Sequence, residues 1–216
     1  MNTNFARRQM INQQVRAWDV LDTTVLDGLN EVARERFVPE QFASLAFADT
    51  EIPLGHGELM MTPTIEGRVL QALGLSGGES VLEVGTGSGF LTACLATLAT
   101  HVTSIDIYAD FLDTAKQSLQ ACDIENFELL EMDGMQALPE GTFDAIAVTG
   151  SMHALDLRFV EALNPGGRLF VVSGDAPAMC ATRITRKEDD SWQSDILFET
   201  ELAPLVNGGL LPQFTF

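Results

Sequence analysis

Three glycines at alternate positions, Gly85, Gly87 and Gly89, follow directly on the short apolar run Val81-Leu82-Glu83-Val84. A helix-like segment, Phe90 to Leu98, comes next. A strand that turns through glycines into a helix constrains the fold more than any other stretch of this chain. Glycines so spaced let the backbone approach a bound cofactor, because a Cβ would block it. The spacing also discriminates between cofactors. A dinucleotide fingerprint, Gly-x-Gly-x-x-Gly, requires a glycine at position 90, and that residue is Phe90. The pattern is Glu-x-Gly-x-Gly-x-Gly instead.

The segments around this turn alternate. Apolar strand candidates at 80–84, 101–106, 127–131, 143–148 and 168–173 are interleaved with helix candidates at 90–98, 109–121 and 155–163. Such alternation predicts an α/β fold, a doubly wound, mostly parallel sheet with helices on both faces. Two further β-like segments, around 178–185 and 193–199, flank the turn-prone Lys187 to Ser191 and predict an antiparallel pair at the sheet edge. Residues 1–78 read as helical and irregular. Met10, Ile11, Val15 and Trp18 recur at helical spacing, Asp22 is a candidate N-cap for a helix carrying Leu26 and Leu29, and Thr62-Pro63 is a helix start ending near Gly74. One domain is expected over 1–216, with 1–78 as an N-terminal helical segment and 79–216 as the α/β core.

Composition narrows the partners. With 12 basic and 31 acidic residues the chain carries a formal charge of −19, which repels phosphate backbones and anionic lipid, so no nucleic-acid or membrane partner is expected. No window approaches the ~18 apolar residues of a spanning helix, and no signal peptide is visible behind Met1 to Arg8. Cys94, Cys122 and Cys180 lack metal or redox spacing and read as reduced, mostly buried thiols of a cytoplasmic protein. The three histidines are too scattered for a metal site. His153 lies near Ser151, but no Gly-x-Ser-x-Gly elbow surrounds that serine. Trp18 and Trp192 read as packing residues.

Open doubly wound sheets bind ligands at the carboxyl ends of their strands. Glu83, Asp106 and Asp133 all fall at predicted strand ends. The glycine pattern, these three acids and the Pro165-Gly166-Gly167 turn together resemble S-adenosylmethionine-dependent methyltransferases. The resemblance implies that Glu83 meets the amino-acid part or sulfonium of the cofactor, that Asp106 accepts both ribose hydroxyls, and that Asp133 accepts from the adenine amino group.

The N-terminal third sharpens that resemblance. Glu35-Arg36-Phe37-Val38-Pro39, Ala48-Asp49 and Pro53-Leu54-Gly55-His56-Gly57 are similar to the region before the glycine loop in protein-L-isoaspartate O-methyltransferases. So are Asp144-Ala145-Ile146-Ala147-Val148-Thr149 and the closing Ala203-Pro204-Leu205. The resemblance runs from about Arg8 to about Asn207. It implies a seven-stranded, Rossmann-like methyltransferase sheet with a modified strand order near its C-terminal edge. It also implies S-adenosyl-L-methionine as methyl donor, S-adenosyl-L-homocysteine as product, and an isoaspartyl-containing protein or peptide as acceptor. The cofactor wall it implies comprises Glu83, Gly85, Thr86, Gly87, Ser88, Gly89, Asp106, Ile107, Asp133, Gly134 and Thr149.

On the acceptor side the family usually carries Thr-Ile-Ser-x-Pro, whose serine has an active-site role. Anchored on Pro63, the aligned run is Leu59-Met60-Met61-Thr62-Pro63, and Met61 replaces the serine. A thioether donates no hydrogen bond and accepts weakly. Thr62 offers a hydroxyl one position along, and His56 is the other polar acceptor-site candidate. Three readings stay open: esterification of isoaspartyl carboxylates, methylation of another acceptor such as a small-molecule carboxylate or a different protein, and a module that binds the cofactor without turnover. A nicotinamide-dependent oxidoreductase is the outside alternative.

Overall fold

A computed structural model describes residues 3–189 and 191–208. Among them a seven-stranded sheet runs in the order β5-β4-β3-β6-β7-β8-β9. Its strands are β3 (Ser80–Val84), β4 (His101–Asp106), β5 (Phe127–Glu131), β6 (Phe143–Met152), β7 (Leu163–Asp175), β8 (Ala178–Arg186) and β9 (Trp192–Thr200). β5, β4, β3, β6 and β7 are parallel, while β8 and β9 add antiparallel strands at the edge. The doubly wound expectation and the antiparallel edge pair are both met. Side chains alternate across the sheet, as the pleat requires. Val81, Val102, Ala145 and Phe170 join one buried cluster, whereas Leu82, Ile105, Ile146 and Leu169 join the other.

Helices α4 (Phe90–Leu98) and α5 (Ala109–Ala121) coincide with the predicted spans, and α6 (Leu157–Glu161) is shorter than the expected 155–163. The Asn164-to-Gly167 turn does not precede the last parallel strand but lies within it. Pairing jumps from Phe143↔Leu163 to Ala145↔Arg168, so the turn is accommodated as a bulge.

N-terminal to the sheet, α1 (Thr3–Met10) continues through one π-helical and one 3₁₀ segment to Trp18. α2 (Thr23–Glu31) is capped by Asp22, whose side chain accepts from Thr24 N. α3 (Pro63–Leu73) begins at the Thr62 cap and stops at Gly74, which has a φ of 55°. The apolar faces of these helices share a cluster with Val81 of β3 and with Phe90 and Leu95 of α4. Two expectations need correction. The segment 1–78 is not only helical and irregular, because β1 (Ile52–Gly55) and β2 (Glu58–Met60) form an antiparallel hairpin. Trp18 and Trp192 are not packed, being 49% and 46% exposed. No helix among the described residues is long and apolar enough to cross a membrane.

Candidate active site

The sheet order reverses at β3, since the chain passes to β4 on one side and β6 lies on the other. A crevice opens at the carboxyl ends of strands at such a switch point. Here it is a cleft whose wall includes the turn after β3, the ends of β4 and β6, the hairpin and the segment Leu202 to Val206.

Each glycine of the turn has its own reason. Gly85, Gly87 and Gly89 all have positive φ, at 99°, 52° and 81°. At Gly85 an added Cβ would stand 2.2 Å from Thr149 Oγ1, and at Gly89 it would stand 2.8 Å from Ala115 Cβ. Thr149 shares its hydroxyl proton between the carbonyls of Val84 and Gly85, at 2.9 Å each, which ties the end of β6 to the turn.

Glu83 is fully buried at the base of the cleft. Its Oε2 accepts from Thr92 Oγ1 and, at 2.6 Å, from Ser104 Oγ. With the Ser104 proton used in that way, Thr86 Oγ1 is the donor in its 2.6 Å contact with Ser104 Oγ. Glu83 Oε1 has no partner. Burial pushes the carboxyl up to about 8, against the two hydroxyls that lower it.

Behind Glu83 lies a second buried acid. Glu66 from α3 meets the wholly buried Arg34, whose Nη1 lies 3.1 Å from Oε1 and 2.9 Å from Oε2. Arg34 Nη2 donates to the carbonyl of Met61 at 2.9 Å, and its guanidinium lies 5.0 Å from the Phe90 ring centre. Burial pushes Glu66 up to about 8 as well, with Arg34 working in the opposite direction.

Asp106 ends β4 with its oxygens turned to the turn and to α5. Oδ2 accepts from Gly87 N at 2.9 Å and Oδ1 from Tyr108 N at 3.0 Å. Asp106 lines the cleft, and a carboxylate oxygen that accepts one hydrogen bond can accept another. Burial raises this carboxyl above the usual range, while those N–H groups lower it. Asp133 accepts from Met135 N at 2.9 Å and from Asn207 Nδ2 at 2.7 Å, so the C-terminal segment is bound to this wall. Ser151 holds the same segment by donating from Oγ to the Leu202 carbonyl at 2.7 Å and from N to the Ala203 carbonyl at 2.8 Å. His153 pairs with Asp175 instead, at 2.7 Å.

Of the residues singled out in the sequence, Met61, Glu83, Gly85, Thr86, Gly87, Ser88, Asp106, Ile107, Asp133, Gly134 and Thr149 all line the cleft. Thr62, His56 and Gly89 do not. The Thr62 hydroxyl accepts from Ile65 N as the cap of α3 and meets Thr64 Oγ1 at 2.9 Å. Because Thr64 donates to Asp49, the Thr62 proton is committed to Thr64. His56 sits at the tip of the hairpin, stacked on Tyr108 at 4.1 Å between ring centres and paired with Asp110 at 3.0 Å. Gly89 caps α4. Among the described residues no acidic, histidine and cysteine cluster could hold a metal ion.

Sequence reasoning missed Arg34, Glu66, Thr92 and Ser104, and it named the closing Ala203-Pro204-Leu205 without placing it in the cleft wall. In Arg34-Glu35-Arg36 nothing local marks which arginine turns inward. Thr92 carried a usable signal, being a hydroxyl on a mostly apolar helix, whereas Ser104 lies in the mixed run His101-Val102-Thr103-Ser104-Ile105-Asp106, where nothing local singles it out.

Comparison with known proteins agrees with this architecture. A Plasmodium falciparum structure, assigned as a protein-L-isoaspartate O-methyltransferase and solved with S-adenosyl-L-homocysteine, superposes with a TM-score of 0.79. It is 22% identical and covers 93% of this chain and 98% of its own, which fixes the likeness of fold. Protein-L-isoaspartate O-methyltransferase 1 of Rhodopseudomonas palustris is 37% identical over 94% of this chain and 85% of its own. The Methylorubrum populi enzyme of the same description is 34% identical over 95% and 97%. The family model for protein-L-isoaspartate(D-aspartate) O-methyltransferase matches residues 6–209, and the chain belongs to that family.

Proposed function

We propose that this chain is an S-adenosylmethionine-dependent methyltransferase that esterifies isoaspartyl carboxylates of damaged proteins or peptides. The observation that carries the cofactor assignment is Glu83 Oε1, a buried oxygen without a partner in the wall of a cleft. A cationic ligand group satisfies it, and S-adenosylmethionine has both an ammonium and a sulfonium. The other residues fit the same group. Asp106 offers two acceptor sites for a ribose, Asp133 an acceptor for an adenine amine, and the glycine turn a wall of small cross-section.

The bound cofactor supplies an electrophilic methyl group. The residues of this chain hold the two reactants in line and exclude water, which is the main work of such a displacement. A carboxylate acceptor is ionised near neutral pH, so no side chain has to act as a base. Met60, Met61 and Leu202 give the cleft an apolar lining, and Arg34 steadies the backbone of Met61 from behind. Free Cys94, Cys122 and Cys180 support a cytoplasmic location.

Met61 favours a second reading with the same donor and a different acceptor. It brings a thioether where the family has a hydroxyl, removing one hydrogen bond from acceptor binding. Calorimetry tests the cofactor assignment: S-adenosylhomocysteine binds with a stoichiometry of one and NAD does not. NAD binding with no response to S-adenosylhomocysteine overturns it.

A further inference from the structure

The lining of the cleft carries charge of one sign. Six acidic side chains line the cleft, Glu51, Glu58, Glu66, Glu83, Asp106 and Asp133, and no Lys, Arg or His joins them among the described residues. Four of these have partners described above. Glu51 and Glu58 do not, since neither carboxylate has a hydrogen bond or ion pair among the described residues. In the hairpin, Ile52 pairs with Met60, and Glu51 and Met61, the residues next to that pair, both line the cleft. Glu201 immediately precedes the cleft-lining Leu202, and its charge acts on Glu51. Burial and the Glu201 charge raise the Glu51 carboxyl, and burial and the Asp106 charge raise that of Glu58, with His56 working in the opposite direction.

An isoaspartyl carboxylate approaching Met61 must pass this rim, and like charges repel. A positive side chain next to the accepting residue offsets the repulsion and gains attraction to the rim. We propose that Glu51 and Glu201, supported by Glu58, are specificity-determining residues that select isoaspartyl segments flanked by lysine or arginine. This rests on the reading that the acceptor enters beside Met61.

The test compares two fluorescent isoaspartyl peptides, one with lysine on both sides and one with glutamate, binding to the protein loaded with S-adenosylhomocysteine. At low salt the lysine peptide is expected to bind about 3- to 10-fold tighter, and 0.5 M NaCl to bring the two within about twofold. The E51K/E201K variant is expected to invert the order. That variant changes the formal charge by four from −19, so the molecule stays strongly acidic and a preference due to overall charge would persist. Equal affinities, a lysine preference retained in E51K/E201K, or no binding of either peptide at millimolar concentration overturns the proposal. Methyl-ester formation on the same peptides is scored separately. Its absence beside charge-selective binding overturns the isoaspartyl reading alone, and ester formation without charge preference overturns the rim's role alone.

Discussion

Replacing Glu83 by glutamine, Glu83→Gln, converts the buried acid of the cleft into a neutral isostere and gives a prediction whose sign follows from the structure. In the unfolded chain a glutamate titrates near 4.5, whereas in the fold burial pushes Glu83 up to about 8. Between those values the folded protein holds a proton that the unfolded chain has released. Folding stability contributed by this site is therefore complete below pH 4.5, falls as pH rises through the window, and levels off above pH 8. The slope is at most about 1.4 kcal/mol per pH unit, so from pH 5.5 to 7.5 the wild type loses up to about 2.7 kcal/mol through this group. Glutamine does not titrate, and its carbonyl can still accept from Thr92 and Ser104. The variant should thus match the wild type near pH 5 and melt about 5–11 °C higher at pH 7.5. Besides burial, the groups acting on Glu83 are the Ser104 and Thr92 hydroxyls and Asp106 from β4, all present in both proteins, and Glu83 in turn acts on Glu66, the partner of Arg34. The assay is thermal unfolding by circular dichroism at half-unit pH steps without cofactor. Parallel curves for the two proteins, or a variant less stable at pH 7.5, would refute the reasoning. The same ionisation favours a cationic ligand, so the wild type should bind S-adenosylhomocysteine more tightly at pH 8 than at pH 6, and Glu83→Gln should lose that trend.

Met61→Ser returns the family hydroxyl to the acceptor wall, and isoaspartyl kcat/KM should rise by about 5- to 150-fold, the worth of one hydrogen bond of ~1–3 kcal/mol. Because Met61 is only 7% exposed, the same change should lower unfolding free energy by about 1–3 kcal/mol in urea titration; an unchanged rate would favour a different acceptor. Gly89→Ala places a Cβ 2.8 Å from Ala115 Cβ at a φ of 81° and should cost about 2–4 kcal/mol of stability, measured in the same way. A cost below ~1 kcal/mol would show that the turn yields more readily than its packing implies.

The parts of the fold governed by local rules were legible in the sequence. β3, β4, β5, α4 and α5 coincide with the predicted spans because the apolar period and the glycine turn agree there. The β1–β2 hairpin was not. Its turn residues His56 and Gly57 both have positive φ, as a two-residue hairpin requires, but histidine is a weaker turn signal than asparagine or aspartate and Pro53 hid the strand. The glycine turn, Asp106 and Asp133 were recognisable as one wall since strand ends converge by topology. Arg34 and Glu66 were invisible for the opposite reason. Their pairing spans 32 residues, and only the packing of α3 against the sheet layer buries both. Thr62 shows the limit of motif adjacency, because a helix start turns its hydroxyl to the backbone rather than to the cleft.

The most direct measurement incubates the protein with methyl-labelled S-adenosylmethionine and an isoaspartyl peptide, with the matching aspartyl peptide as control. The account predicts a base-labile methyl ester on the isoaspartyl peptide alone, above a blank without protein. Bound cofactor with no ester on either peptide would contradict it.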